Sequence, residues 1–186
     1  MEYLNLFSND FVYKVAPGKC IKIEEKKTDG KGTCFFSSYH SAIFIKAKDQ
    51  APVIWSLENR KCAEAAFFTT EEGEVLNLHI IEMKSSVNIG TFVKVIDQWT
   101  GMYLSAMAVI GILLRNRPKN IFVYLAYSTT SINTSSPIML KSLVGGTFQK
   151  GMQEWLSNSV SLPHGVTAKI IKKQRIAGDC DFGLVS

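Results

Sequence analysis

Glu64, Glu82 and Lys84 are the side chains whose types and spacing suit metal-assisted chemistry on a phosphate. Two carboxylates hold a hard cation such as Mg²⁺ through oxygen and leave it several waters. A lysine beside such an ion orients or deprotonates a water and steadies the charge that develops on a phosphate. Glu82 and Lys84 stand two apart in Ile80-Ile81-Glu82-Met83-Lys84, so on a strand they project to one face. The backbone carbonyl of Met83 is a further oxygen ligand within reach. The same residues also read as a solvated strand end carrying an ordinary Glu-x-Lys, with Glu64 exposed. Spacing alone leaves the two readings evenly matched.

The surrounding chain supplies elements to position this set. Lys61 to Thr69 and Val75 to Met83 read as strands joined at the turn Glu71-Glu72-Gly73-Glu74. Pairing about that turn sets Glu64 almost opposite Glu82. Ser86 or Asn88 caps a helix that spans Ile89 to Leu114. Lys94 and Gln98 share a face of it, being four apart. Pro118 stops the helix, and the basic residues around it suit a helix C-terminus. Ile121 to Tyr127, IFVYLAY, is then a buried strand. Strand, strand, long helix and strand in this order predict a right-handed parallel crossover.

Glu64, the apolar strand, the turn and Ile80 to Lys84 together resemble the core motif of the PD-(D/E)XK nuclease superfamily, over roughly residues 53 to 128. The resemblance implies an α/β, restriction-endonuclease-like core: a mixed sheet with flanking helices. It implies Glu64 and Glu82 as ligands of Mg²⁺, with Mn²⁺ as a substitute, and Lys84 as the catalytic lysine. Gln98 and Tyr103 stand where many members carry a Gln and a Tyr on the following helix. The implied activity is hydrolysis of phosphodiester bonds in DNA, with RNA as the other substrate. A homodimer and a role in cell defence or restriction accompany it. Two departures are visible. The first acid is Glu rather than Asp, and the Gln-to-Tyr spacing is one residue longer than the common exonuclease pattern. The alternative is a catalytically inactive nucleic-acid-binding or protein-interaction subunit on the same fold.

The composition frames this reading. A chain of 186 residues with 46% hydrophobic content is expected to form one domain. Its sections are a β-rich N-terminal part (1–50), the nuclease-like core (51–128) and a C-terminal helix and strand (129–186). The formal net charge of +5 suits a polyanion partner without requiring one. Cys20, Cys34, Cys62 and Cys180 form no CxxC, and His40, His79 and His164 lie far from them, which excludes a zinc finger or ribbon. MEYLNLFSND has neither a basic nor an apolar leader region, so a reducing cytoplasm is expected.

Outside the core, Phe11 to Val15 and Cys20 to Glu24 read as strands around the turn Pro17-Gly18. Thr33 to Tyr39 and Ala42 to Lys46 read as strands too. Lys26 to Gly32 reads as a basic hairpin tip. Glu58 is a candidate extra metal ligand or a surface residue. Met102 to Leu114 is nearly all apolar; from Gln98 the uncharged run is shorter than the roughly 20 residues a membrane span needs, so a buried helix is expected and no membrane partner. Ser128 to Pro137 reads as a loop, Met139 to Leu143 as a short element and Phe148 to Val160 as an amphipathic helix. Val166 to Ile171 alternates as a strand. Lys169, Lys172, Lys173 and Arg175 form a basic cluster that either follows a phosphate backbone or is a solvated charge run. Asp179 and Asp181 lack a third ligand and make no metal site.

Overall fold

A computed structural model describes residues 3–25, 31–48, 51–54, 56–114, 116–133 and 150–185. Its strands are β1 (Val12–Val15), β2 (Ile21–Glu25), β3 (Gly32–Ser37), β4 (Ser41–Lys46), β5 (Ala65–Glu71), β6 (Glu74–Val87), β7 (Asn120–Thr130), β8 (Ser159–Leu162), β9 (Val166–Gln174) and β10 (Cys180–Leu184). Helix α1 (Ile89–Leu113) lies between β6 and β7, and α2 (Met152–Ser157) precedes β8. The protein is α/β. Seven strands form one mixed sheet in the order β1-β4-β5-β6-β7-β9-β8, and β10-β3-β2 form a second, smaller one.

Three layers follow from side-chain alternation. Along β5, Ala66 and Phe68 join the core that contains α1, while Ala65 and Phe67 join the core that contains β2 and β3. The large sheet is therefore covered by helices on one face and by the small sheet on the other. This explains why AAFF shows no polar alternation: both faces of β5 are buried. Helix α1 has 13 buried residues, among them Trp99 and Met102. By length and composition α1 is long and apolar enough to cross a membrane; in this fold it lies across the sheet.

Local chemistry sets the element ends. The β5–β6 loop has two residues, Glu72 and Gly73, with φ of 49° and 87°, between the paired Glu71 and Glu74. Positive φ at both positions matches the right-handed twist of a hairpin. The Asn88 side chain accepts the Thr91 N–H at 2.8 Å and caps α1. The crossover through α1 makes β6 and β7 parallel, with Glu82 beside Leu125 and Lys84 beside Tyr127.

Several expectations are corrected. β1 and β2 flank the turn at Pro17-Gly18 as expected, but they pair with other strands, β1 with β4 and β2 with β3. The expected helix over Phe148 to Val160 is cut to Met152–Ser157, because Gly151 and Asn158 are both left-handed, and Val160 lies in β8. β7 runs to Thr130, into the segment expected as a loop. The proposed element at Met139 to Leu143 and most of the basic tip, residues 26–30, lie outside the described residues. The basic cluster is not one patch. Lys172 lies on the helix side, its ammonium 4.1 Å from the Trp155 ring centroid, and it donates to the Trp155 carbonyl. Lys173 donates to the Asp181 carbonyl, and Arg175 is buried. Strand alternation sends these neighbours to different surroundings.

Lys172 gives a pH prediction. Burial pushes its pKa from the ordinary 10.5 down to about 8. Below pH 8 the amine is charged in both folded and unfolded chains, and the desolvation penalty is constant. Between pH 8 and 10.5 the unfolded chain holds the extra proton, so stability rises with pH. Relative to Lys172→Met, the wild type should gain stability across that window and show a flat difference below it. Urea unfolding of both proteins at pH 7, 9 and 10.5 measures this.

Candidate active site

β6 is the strand at which the large sheet changes from antiparallel to parallel pairing. Ile80 belongs to the helix-side core, and Ile81 and Met83 to the opposite one. Glu82 and Lys84 therefore share the helix-facing side. Their side chains form an ion pair in which the Glu82 carboxylate is fully buried and the Lys84 side chain is 25% exposed. The pair opens to solvent at its lysine end.

Glu64 immediately precedes β5 and is half-buried. The last register pair between β5 and β6 is Ala65 with Ile81, so one further step sets Glu64 opposite Glu82. Directly opposed residues have Cα atoms about 5 Å apart. The paired register of β5 and β6 ends at Ala65 and Ile81. Glu64 also lines a cleft of about 270 Å³ with Lys22, Glu24 and Lys46.

Cys62 reports that both acids are near. Burial is the main cause that pushes its thiol up to about 12, and the charges of Glu82 and Glu64 add to the rise. The Ser105 hydroxyl opposes them. At neutral pH Cys62 is a thiol, with its sulfur 3.9 Å from that of Met102. The charged donors at hand are oxygen only. Among the described residues no three His, Cys, Asp or Glu side chains converge on one point.

Gln98 is buried, and its Nε2 donates to the Cys62 carbonyl at 3.5 Å. The Gln98 backbone carbonyl accepts the Ala63 N–H at 3.1 Å. Lys61 pairs with Asp97 at 2.7 Å, and Asn59 Nδ2 donates to the Asp97 carbonyl at 2.7 Å. This stretch of α1 thus holds the backbone that leads into Glu64. Gln98 stands at the site through that backbone.

Other candidates lie elsewhere. Tyr103 is five residues beyond Gln98, about 7.5 Å farther along the helix axis, and lines a cavity with Arg117 and Lys119. Glu58 and Lys94 are exposed. Asp179 Oδ1 accepts from the Thr33 N–H at 3.0 Å, and Asp181 Oδ1 from Gly183 at 2.7 Å; each serves local backbone.

Sequence reasoning placed Arg175 in a basic cluster and missed its inward contact with Lys84. Arg175 is 6% exposed, and its Nη2 donates to the Lys84 carbonyl at 3.0 Å. Its backbone N–H donates to the Tyr127 carbonyl at 2.7 Å. Arg175 fixes the backbone of Lys84 from the end of β9, a contact across 91 residues that no local pattern signals. Also unforeseen, His79 Nδ1 lies 2.9 Å from the Tyr124 hydroxyl, with the His79 ring stacked between Phe67 and Phe122. That pair belongs to the opposite face and is part of its packing.

Fold and site together define an α/β protein with a mixed sheet and a buried glutamate–lysine pair at the antiparallel-to-parallel switch. The chain matches no family model, no curated protein and no solved structure.

Proposed function

We propose that this protein is a metal-dependent nuclease with a restriction-endonuclease-like core, hydrolysing phosphodiester bonds of DNA. One observation carries the reading. Glu82 and Lys84 share the helix side of β6, with Glu64 one register step beyond the last β5–β6 pair. The order β5, β6, α1, β7, with β7 parallel to β6, is the strand, strand, long helix, strand order expected from the sequence.

The donor set fits a hard ion. Glu64 and Glu82 would hold Mg²⁺ with waters completing its shell. When bound, such an ion activates a water and stabilises charge on the phosphate. Lys84 neutralises Glu82 and, reaching solvent, is placed to meet a phosphate oxygen. Gln98 and Arg175 position Glu64 and Lys84 through their backbones. A homodimer acting on duplex DNA in cell defence is the setting the resemblance suggests.

The test is incubation of purified protein with duplex DNA, and separately with RNA, in Mg²⁺, Mn²⁺ or EDTA. Cutting of DNA with either ion and none with EDTA is expected, and Glu82→Ala should abolish it. Cutting that survives both Glu82→Ala and Lys84→Ala would sink the assignment. Salt-dependent DNA binding without turnover in any metal would instead indicate the inactive binding subunit.

A further inference from the structure

We propose that the cavity between α1 and the starts of β7 and β9 binds a small organic phosphate: a phosphomonoester joined to a flat, largely apolar body the size of a nucleoside. This goes beyond the nuclease reading and uses different residues. Ile121, on the cavity wall, is four residues before Leu125, the neighbour of Glu82. That is about 13 Å along the strand.

Four observations point to such a ligand. The cavity holds about 390 Å³, within the range of small-molecule sites. Among the described residues its charged lining is of one sign: Arg117, Lys119 and Lys169 contribute, and no carboxylate does. Met107, Ile121, Val166 and Ala168 give it an apolar wall, while Asn158 and Thr167 supply neutral polar groups.

The fourth observation is Tyr103. The residue is only 2% exposed and lines the cavity beside Arg117. A buried tyrosine usually satisfies its hydroxyl. Here the cavity offers a place for an acceptor. Arg117 is near enough that its charge opposes the rise that burial gives the Tyr103 phenol. A phosphate oxygen accepting from Tyr103 and paired with Arg117 satisfies both groups.

The structural alternative is that Arg117 and Lys119 merely offset the negative end of α1. That accounts for the cations. It does not account for the apolar wall, nor for the tyrosine set beside Arg117 in it.

The test is calorimetric titration of the whole protein, in EDTA, with adenosine 5′-monophosphate, adenosine and inorganic phosphate. The monophosphate should bind, and each fragment should bind at least about tenfold more weakly. Arg117→Ala should weaken the monophosphate about tenfold or more, and Tyr103→Phe about three- to tenfold, with melting temperature unchanged in the latter. Glu82→Gln should bind as the wild type does, which separates this site from the nuclease reading. No heat from any probe at millimolar concentration overturns the proposal. So does binding that Arg117→Ala and Tyr103→Phe leave unchanged. Equal affinity for inorganic phosphate and the monophosphate overturns the organic part and leaves a plain anion patch.

Discussion

Lys84→Met should abolish DNA cutting and lower stability by about 2–3 kcal/mol, and adding Glu82→Gln should return most of that stability and none of the activity. The argument starts from burial. The Glu82 carboxylate has no solvent exposure, and Lys84 is its ion-pair partner. Removing the partner of a fully buried charge costs about 3–5 kcal/mol. Lys84 is 25% exposed, so water screens part of the interaction and the expected loss is smaller. Glu82→Gln keeps the shape and removes the charge that needed pairing, so the double variant no longer buries an uncompensated carboxylate. Catalysis behaves differently. On the proposed nuclease reading the double variant lacks both the proposed metal ligand and the proposed lysine, and each such group is worth about 10²–10⁴-fold in rate. Urea unfolding and initial cleavage rates of the four proteins complete the cycle. If activity returned with stability, the pair would be structural and the active site would lie elsewhere.

Stability and activity are thus expected to separate at Lys84, and the sequence explains only half of that. The shared face of Glu82 and Lys84 was legible from a strand's period of two, but the turn register alone would set Glu64 opposite Ile81; the irregularity between Phe68 and Thr70 shifts the pairing by one residue and brings Glu64 opposite Glu82. The α1 crossover was legible from its apolar length, its Asn88 cap and the proline beyond it. What was hidden depends on contacts far apart in the chain. β10 pairs parallel to β3, with Cys180 beside Cys34, and nothing in CDFGL announces a partner so distant. The small sheet it completes buries the second face of β5 and β6. Arg175 looked like part of a basic surface run, yet it is folded inward to the Lys84 carbonyl. The charge of the run was visible; the alternation that divides Lys172, Lys173 and Arg175 among separate environments depended on where β9 begins and which strands flank it.

Gly101→Ala should lower stability by about 3 kcal/mol and reduce cleavage roughly 100-fold, whereas Gly111→Ala on the same helix should raise stability by up to about 1 kcal/mol. A Cβ at position 101 would stand 1.9 Å from the Lys61 carbonyl oxygen and 3.1 Å from its carbon. No rotamer change relieves that contact, because the obstacle is backbone. The glycine lets α1 come close enough for the Ala63 N–H to reach the Gln98 carbonyl and for Gln98 Nε2 to reach the Cys62 carbonyl. Those bonds hold the segment that ends in Glu64. Overpacking a close contact costs about 1–3 kcal/mol, and a rigid partner places this one at the upper end. The helix or the segment must shift, and a displacement of about 1 Å in a reacting group is enough for a 100-fold loss. Gly111 is the control: nothing lies within 4 Å of its added Cβ, so alanine there brings only its helix preference. Urea midpoints of both variants, with cleavage rates measured where each is fully folded, test the pair. Equal stability of Gly101→Ala and wild type would show that α1 does not need this close approach, and would remove the argument that it sets the position of Glu64.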